Sequence, residues 1–251
     1  DLAGTSVTLL DTPGHVDFSA EMERTLQVLD YAVLVISGTD GVQAHTHTLW
    51  RLLARHQIPA VVFVNKMDLA GTERAELLAE LKKQLGEGCV DFNGNAARQA
   101  FEESLAVCDE TLLERYLDGQ AVQDKDIAPL IRTRKVFPCY FGSALHLQGV
   151  EDLLDGLDRY TDMPAGDAAF GARVFKVARD EQGNRLTYLK LTGGTLRVRE
   201  AVSGSEDGGW QEKVNQLRVY SGAKYRTVET AEWGMVCAAT GLTHTMPGMG
   251  L

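Results

Sequence analysis

The sequence contains few cysteines, no apolar run longer than a β-strand and no surplus of positive charge. Its four cysteines, Cys89, Cys108, Cys139 and Cys237, lie too far apart for a CxxC pair, which excludes the common short-range metal and redox motifs. Separated thiols that stay reduced are typical of cytoplasmic proteins, so a cytoplasmic location is predicted. Because the apolar runs are only of strand length, neither a signal peptide nor a membrane span is predicted.

Charge and composition limit the class of protein further. A hydrophobic content of 44% in 251 residues is enough for a buried core, in one large domain or two ordinary ones. The formal net charge of −10 argues against broad, non-specific nucleic-acid binding. Residues 1–164 hold 14 Lys and Arg against 26 Asp and Glu, whereas residues 165–251 hold 11 against 9. The second part is therefore the better candidate for any contact with RNA.

Apolar strands alternate with amphipathic helices over the first two thirds of the chain. The pattern predicts strands at residues 7–10, 31–36, 60–64 and 136–141, and helices at 18–29, 43–56 and 150–160. The run at 31–36 is continuous, which is typical of a strand buried on both faces. Such alternation predicts a parallel, doubly wound α/β sheet, in which ligands bind at the carboxyl ends of the strands.

The first predicted strand ends in Asp11-Thr12-Pro13-Gly14-His15. A carboxylate at a strand end is often compensated by Mg²⁺ held through water, and glycine lets the backbone approach a phosphate closely. Pro13 fixes the turn, and His15 projects from the start of the next helix. Taken alone, the stretch is equally compatible with an ordinary loop that carries a surface histidine.

Asn65-Lys66-Met67-Asp68 follows the strand at 60–64. An aspartate can accept two hydrogen bonds from the N1–H and the 2-amino group of guanine, a pattern that adenine does not offer. Asn65 is expected to tether neighbouring loops and meet the base edge, and the Lys66 stem to lie along the flat face of the base. The alternative interpretation is a polar turn at a strand end.

The strand at 136–141 ends in Gly142-Ser143-Ala144. Small residues with free backbone amides at this place can meet the O6 atom of guanine. The tripeptide alone carries no information.

Together, DTPGH, NKMD and GSA, in this order and each at a strand end, resemble a translational GTPase of the elongation factor G superfamily. The segments 38–43 and 109–117 are similar to the tetracycline-resistance ribosomal protection proteins within it. The resemblance implies an α/β fold: a parallel-sheet, P-loop-type GTPase domain, truncated at its N-terminus, over residues 1–163. A helical insert at about 69–135 interrupts this domain, and a small antiparallel β-barrel over 164–251 follows it.

The same resemblance implies a site and its ligands. GTP or GDP and Mg²⁺ are the implied cofactors, and the ribosome, with its RNA and proteins, is the implied partner, with no membrane. His15 is the implied catalytic residue, which orients the attacking water, and Asp11 holds Mg²⁺ through water. The implied GTP-binding residues are Asp11, Thr12, Pro13, Gly14, His15, Asn65, Lys66, Asp68, Ser143 and Ala144. Hydrolysis would accompany release of tetracycline from the ribosome.

The period of the pattern changes after residue 164. Short alternating strands at 173–177, 185–191, 195–198, 214–220 and 236–239 lie between glycine-rich turns, which predicts a small antiparallel barrel. It resembles the second domain of the same superfamily. Several basic residues there suit either a solvated face or an RNA contact: Arg197, Arg199, Arg218, Lys224 and Arg226.

One expected motif is missing. No G-x-x-x-x-G-K-[ST] loop occurs in the sequence, which also starts at Asp1 almost directly on a predicted strand. We therefore expect an internal fragment that does not hold a triphosphate firmly. Two other interpretations stay open: an elongation factor G-like or release-factor-like GTPase, and a nucleotide-free interaction module on the same fold.

Overall fold

The computed structural model describes residues 2, 4, 6–12, 20–93, 97–162, 166–204 and 209–251, with only the backbone at 20–22. These residues form two compact units. Asp1–Val7 with Leu29–Met163 is here called the α/β unit, and Thr8–Val28 with Pro164–Leu251 the β unit.

Seven α-helices lie in the described residues: α1 (Ala20–Leu26), α2 (Ala44–Arg55), α3 (Arg74–Leu85), α4 (Arg98–Ala106), α5 (Glu110–Leu117), α6 (Asp124–Arg132) and α7 (Val150–Tyr160). Four strands lie in the α/β unit: β1 (Ala32–Ser37), β2 (Ala60–Asn65), β3 (Cys89–Asp91) and β4 (Phe137–Phe141). None of these helices is long and apolar enough to cross a membrane.

The α/β unit is built on a parallel sheet with the strand order β1-β2-β4-β3. The predicted strands at 60–64 and 136–141 and the predicted helices at 43–56 and 150–160 are confirmed by β2, β4, α2 and α7. Residues 60–64 of β2 and all of β4 are buried, as the apolar composition of a central strand requires. The parallel α/β prediction is therefore correct.

Strand β1, which lies at one edge of the sheet, differs from β2 and β4 in its exposure. Leu34 and Ile36 are buried, but Val33 and Val35 are exposed. The prediction that the run at 31–36 is buried on both faces is therefore wrong for one face. An apolar strand is buried on both faces only if other elements pack on both, and the composition of β1 does not determine whether they do.

The strand predicted at 7–10 is also absent from the structure. Residues 6–12 have no regular secondary structure, and Leu9 is 84% exposed. A segment becomes a strand only when another strand satisfies its backbone groups, and this segment pairs with none of the four strands of the parallel sheet. The residue pattern at 7–10 can predict an extended backbone, but it does not show whether a second strand is present to pair with it.

The long connection between β2 and β4 is mostly helical, as expected, but it also contributes β3 to the sheet. Helices α4, α5 and α6 enclose a core of buried apolar side chains: Val90, Leu105, Leu112, Val122, Ile127, Leu130, Ile131 and Val136. This core includes Val90 of β3, the edge strand of the sheet, so the connection is part of the α/β unit.

The β unit contains nine strands among its described residues: β5 (Gly171–Arg179), β6 (Arg185–Gly193), β7 (Thr195–Arg197), β8 (Ala201–Val202), β9 (Glu212–Lys213), β10 (Gln216–Ser221), β11 (Lys224–Val228), β12 (Thr230–Glu232) and β13 (Val236–Thr240). Five form an antiparallel sheet in the order β11-β10-β13-β6-β5, and β12-β7 and β8-β9 form two smaller ribbons. Gly194 turns between β6 and β7 at φ +56°, where a Cβ would lie 2.8 Å from the backbone nitrogen of Phe170. The predicted antiparallel architecture is correct.

Candidate functional site

The loops that follow β2 and β4 lie side by side at the carboxyl edge of the parallel sheet. Val64 pairs with Phe141 in the parallel ladder. Beyond this pair, the amide of Gly142 donates to the carbonyl of Val64 (2.9 Å), and the amide of Met67 donates to the carbonyl of Gly142 (3.0 Å). We call residues 65–68 and 142–144 the paired loops, because these backbone bonds fix one against the other.

The side chain of Asn65 links the paired loops directly. Its Oδ1 accepts hydrogen bonds from the amides of Lys66 and Ala144, each at 2.8 Å. Lys66 has a left-handed backbone (φ +65°), which is uncommon for a residue other than glycine. Such a conformation costs on the order of 1–3 kcal/mol and persists only where surrounding contacts impose it. The hydrogen bond to Asn65 is one of these contacts.

Asp68 provides the carboxylate of the paired loops. The side chain of Ser143 lowers the pKa of Asp68 most strongly, burial opposes this, and the backbone amide of Asp68 and the nearby His146 lower it further. The carboxylate is therefore ionised, and an ionised carboxylate has two acceptor oxygens. An ionised carboxylate at this edge of the sheet suits a ligand that presents two adjacent N–H donors.

The hydroxyl of Ser143 has an unusual position beside this carboxylate. Its Oγ is buried, and among the described residues it has no partner in full hydrogen-bonding geometry. Its effect on Asp68 is therefore that of a nearby dipole. A buried hydroxyl without a partner requires an explanation, and a polar ligand that enters the paired loops would supply one.

The backbone amides of residues 142–144 donate within the protein in this structure. Gly142 donates to Val64, Ser143 to the carbonyl of Gln148 (3.0 Å), and Ala144 to Asn65. The sequence-based expectation was that free amides at this place meet a guanine O6 atom. The amide of Ala144 can donate to the O6 atom of a base only after its hydrogen bond to Asn65 breaks. In this structure the Oδ1 atom of Asn65 is the acceptor that O6 would replace.

A cleft of about 280 Å³ opens next to the paired loops. It is bounded by the end of β1, the turn at residues 38–41, the start of α2, and Asn65 and Lys66. The amide of Gly38 donates to the carbonyl of Asn65 (2.7 Å), and that of Val42 donates to the Glu80 carboxylate of α3 (2.9 Å). The turn is thus fixed to β2 on one side and to α3 on the other.

Five of the predicted site residues, Asn65, Lys66, Asp68, Ser143 and Ala144, are grouped in the paired loops. The first predicted motif has a different place. Asp11 and Thr12 are exposed and belong to the β unit, whereas Pro13, Gly14 and His15 lie outside the described residues. Within the described part of the chain, no group of three or more acidic, histidine or cysteine side chains suits a metal ion. The assignment of Asp11 to Mg²⁺ therefore stays a prediction.

His146 is a site residue that the sequence analysis missed. It lies in the 3-10 turn Ala144–His146, and its Nε2 is 3.6 Å from a carboxylate oxygen of Asp68. The available signal was its position, two residues after Ala144 in a loop already assigned to the site. Leu145 and Leu147 on either side of it are exposed, so the rim of the paired loops is partly apolar.

The basic residues of the β unit divide into two kinds. Arg197, Arg199, Lys224 and Arg226 are exposed, and both interpretations of them stay open. Arg218 is buried and pairs with Asp180 at 2.9 Å, with its guanidinium 4.5 Å from the ring centre of Tyr225. Arg218 therefore belongs to neither a solvated face nor an available RNA-binding surface.

The comparisons with known proteins identify the family of this chain. Residues 2–163 match the family model described as the elongation factor Tu GTP binding domain. Tetracycline resistance protein TetW of Butyrivibrio fibrisolvens is 34% identical over 92% of this chain and 38% of its own length. Elongation factor G 2 of Geobacter metallireducens is 28% identical over 96% of this chain and 45% of its own length.

A crystal structure of a protein from Thermus thermophilus superimposes with a TM-score of 0.80 at 26% sequence identity, covering 96% of this chain and 43% of the other. The chain thus spans about two fifths of the length of the relatives that it matches. The family model covers most of the chain and includes both paired loops. The chain belongs to the elongation factor Tu GTP-binding domain family, among the translational GTPases of the elongation factor G superfamily.

Proposed function

We propose that this chain is the base-reading part and second domain of a ribosome-dependent GTPase of the tetracycline-resistance ribosomal protection type. The observation that carries the nucleotide assignment is the double hydrogen bond of Asn65, which joins the loop that carries the ionised Asp68 to the loop that carries Ser143. The similarity to tetracycline resistance proteins supports the finer assignment. Similarity of comparable extent to elongation factors G supports the alternative, an elongation factor G-like or release-factor-like GTPase.

Base recognition follows from the chemistry of the paired loops. The two oxygens of Asp68 accept the N1–H and the 2-amino group of guanine, whereas adenine offers no such pair of donors. The lowered pKa of Asp68 keeps the carboxylate an acceptor throughout the neutral range. Asn65 yields the amide of Ala144 to the base, and the stem of Lys66, already turned by its left-handed backbone, covers one face of the ring.

The catalytic assignment concerns the motif at residues 11–15. His15 orients the attacking water, and Gly14 lets the backbone approach the γ-phosphate. Pro13 fixes the turn, Thr12 is a further GTP-binding residue, and Asp11 would hold Mg²⁺ through water. When bound, Mg²⁺ neutralises charge on the phosphate oxygens. Catalysis then consists of positioning and electrostatic stabilisation without a covalent intermediate.

The proposed domain organisation follows the same family. Residues 1–163 form the GTPase domain with its insert at about 69–135, and residues 164–251 form the barrel domain. The partners are guanine nucleotide and the ribosome. The location of such a factor is the cytoplasm.

The test uses the full-length protein that contains this chain. We expect GTP hydrolysis that depends on added ribosomes and that accelerates the dissociation of tetracycline from them. Ribosome-stimulated hydrolysis that promotes translocation or peptide release without affecting bound tetracycline would support the elongation or release factor alternative. Failure to bind GTP at all would leave the interaction module as the function.

A further inference from the structure

Asn93 holds the end of the strand that leads into the second of the paired loops. It lies two residues beyond β3, in the connection between β2 and β4. Its Oδ1 accepts a hydrogen bond of 2.6 Å from the amide of Phe141, the last residue of β4. Its Nδ2 donates to the carbonyl of the same residue at 3.2 Å. Both backbone groups of Phe141 are thus bonded to one side chain, to which the proposed function gives no role.

The side chain of Asn93 continues the ladder between β3 and β4. The paired register ends at Asp91 and Cys139, and the amide of Phe92 adds one more bond to the carbonyl of Cys139 at 2.9 Å. Phe141 is buried, so its backbone groups need partners beyond this point. A side-chain amide has the donor and the acceptor of a peptide group. Asn93 therefore satisfies Phe141 as another strand residue would.

Further contacts fix the position of Asn93. Its Nδ2 also donates to a carboxylate oxygen of Asp152 in α7 at 2.9 Å, so a flipped amide would place its oxygen against that carboxylate. The backbone amide of Asn93 donates to Asp91 at 3.0 Å, and Asp91 forms an ion pair with Arg74 of α3. The guanidinium of Arg74 lies 5.2 Å from the ring centre of Phe141. The end of β4 is therefore held from β3, α3 and α7.

The loop after β4 leaves little room for a shift of Phe141. A Cβ on Gly142 would lie 2.0 Å from the carbonyl oxygen of Gln148, so the two sides of the loop are in close contact. A Cβ on Gly149 would lie 2.5 Å from the carbonyl oxygen of Phe141 itself. The loop thus turns back onto the residue that is bonded to Asn93. A displacement of Phe141 consequently moves the backbone that follows it.

We propose that Asn93 is a positioning residue for recognition of the guanine base. By holding Phe141 at the end of β4, it sets where residues 142–144 lie relative to Asn65 and Asp68. The connection between β2 and β4 thereby supports the site through a residue that does not itself contact the base. The inference rests on the proposed function for its effect on the nucleotide, whereas the contacts of Asn93 do not.

The contacts are tested first by hydrogen exchange on the 251-residue chain without nucleotide. Asn93→Asp keeps the acceptor for the amide of Phe141 but places a second acceptor against its carbonyl and against Asp152. We expect the amides of residues 142–144 to exchange at least about tenfold faster, and those of residues 61–63 in β2 to be unchanged. Unchanged exchange at 142–144, or an equal acceleration in β2, would overturn the proposal, because Asn93 would then not act on this loop in particular.

A second substitution shows whether the effect arises from the contacts of Asn93. Asp152→Asn supplies a donor opposite the new carboxylate, so adding it to Asn93→Asp should restore part of the protection at residues 142–144. The matched control is Asn184→Asp in the β unit, because Asn184 also donates its side-chain amide to a carboxylate, that of Asp180, at 3.1 Å. This control should leave exchange at 142–144 unchanged. A double variant that exchanges as fast as Asn93→Asp would contradict the proposed mode of action.

The consequence for the nucleotide is tested in the full-length protein by calorimetric titration with GDP. Asn93→Asp should weaken GDP binding at least about tenfold, which is about 1.4 kcal/mol, while the number of sites per protein stays the same. Asp152→Asn should restore part of the affinity, and Asn184→Asp should retain all of it. A merely structural role would instead lower the number of sites and leave the affinity of the remaining ones unchanged.

Unchanged GDP affinity in Asn93→Asp, or a loss of sites alone, would overturn the positioning role. If the unmodified full-length protein binds no GDP, the proposed function fails. The exchange experiment then still decides whether Asn93 holds residues 142–144, so the two failures are distinguishable.

Discussion

The paired loops have a fixed geometry, whereas the segment at residues 6–12, which leads into the Asp11–His15 motif, has no regular secondary structure. Residues 65–68 and 142–144 follow strands that are hydrogen-bonded to each other, and Asn65 adds two further bonds between them. Residues 6–12 follow no strand, and Leu9 is exposed. A functional loop thus acquires a defined geometry from the pairing of the strand before it, and the composition of the loop itself is not sufficient.

The strongest test of this contrast is hydrolysis by the 251-residue chain itself. We expect no measurable phosphate release from GTP, even with ribosomes, because the sequence contains no phosphate-binding G-x-x-x-x-G-K-[ST] loop. Loss of even one preorganised donor costs about 2.7–4 kcal/mol of transition-state stabilisation, and this loop supplies several. Steady phosphate release in a ribosome-stimulated turnover assay would contradict this expectation, because it would show that hydrolysis does not require the G-x-x-x-x-G-K-[ST] loop.

A large effect is also expected at His15 in the full-length protein. His15→Ala should lower ribosome-stimulated kcat by about 10²–10³-fold while GTP affinity stays nearly unchanged, because the imidazole acts on water and not on the nucleotide. Single-turnover hydrolysis and equilibrium nucleotide titration measure the two quantities separately. If GTP affinity falls as far as turnover does, His15 binds the nucleotide. The assignment of water orientation to His15 and of nucleotide binding to the paired loops would then be wrong.

Base choice is the next largest expected effect, and it tests the paired loops alone. Asp68→Asn replaces one of the two acceptor oxygens by an amide donor. This donor faces the 2-amino group of guanine, which is also a donor, but it suits xanthine, because xanthine has a carbonyl at that position. An unpaired buried polar group costs about 1–3 kcal/mol, so the preference should shift toward xanthosine triphosphate by tenfold or more. Competition titration of both nucleotides measures it, with Asp118→Asn at the end of α5 as the matched control. A mutant that keeps the preference for GTP would show that Asp68 does not read the base.

The sequence could predict the elements that depend on local patterns but not the contacts between residues distant in the chain. Strands β2 and β4 and helices α2 and α7 were predictable, because their burial patterns are local and regular. Strand β3 was not, since three residues carry no usable period. The pairing of Arg218 with Asp180 joins residues 38 positions apart, and the capture of the Ala144 amide by Asn65 joins residues 79 apart. Such contacts depend on tertiary structure, which the residue types alone do not specify.

The smallest expected effect compares the two regions by stability. Asn65→Ala removes the acceptor of two backbone amides, and each such hydrogen bond contributes about 0.5–1.5 kcal/mol. We expect the free energy of unfolding of the α/β unit to fall by about 1–3 kcal/mol, with part of the loss arising from the left-handed Lys66, which loses a contact that holds it. The matched control is Thr12→Ala in the exposed segment, where a surface substitution should change the free energy of unfolding by less than about 0.5 kcal/mol. Urea denaturation of the 251-residue chain, followed by far-ultraviolet circular dichroism, which reports on both units, measures both variants. Equal losses in the two variants would mean that residues 6–12 are held as firmly as the paired loops, and the contrast drawn between them would not stand.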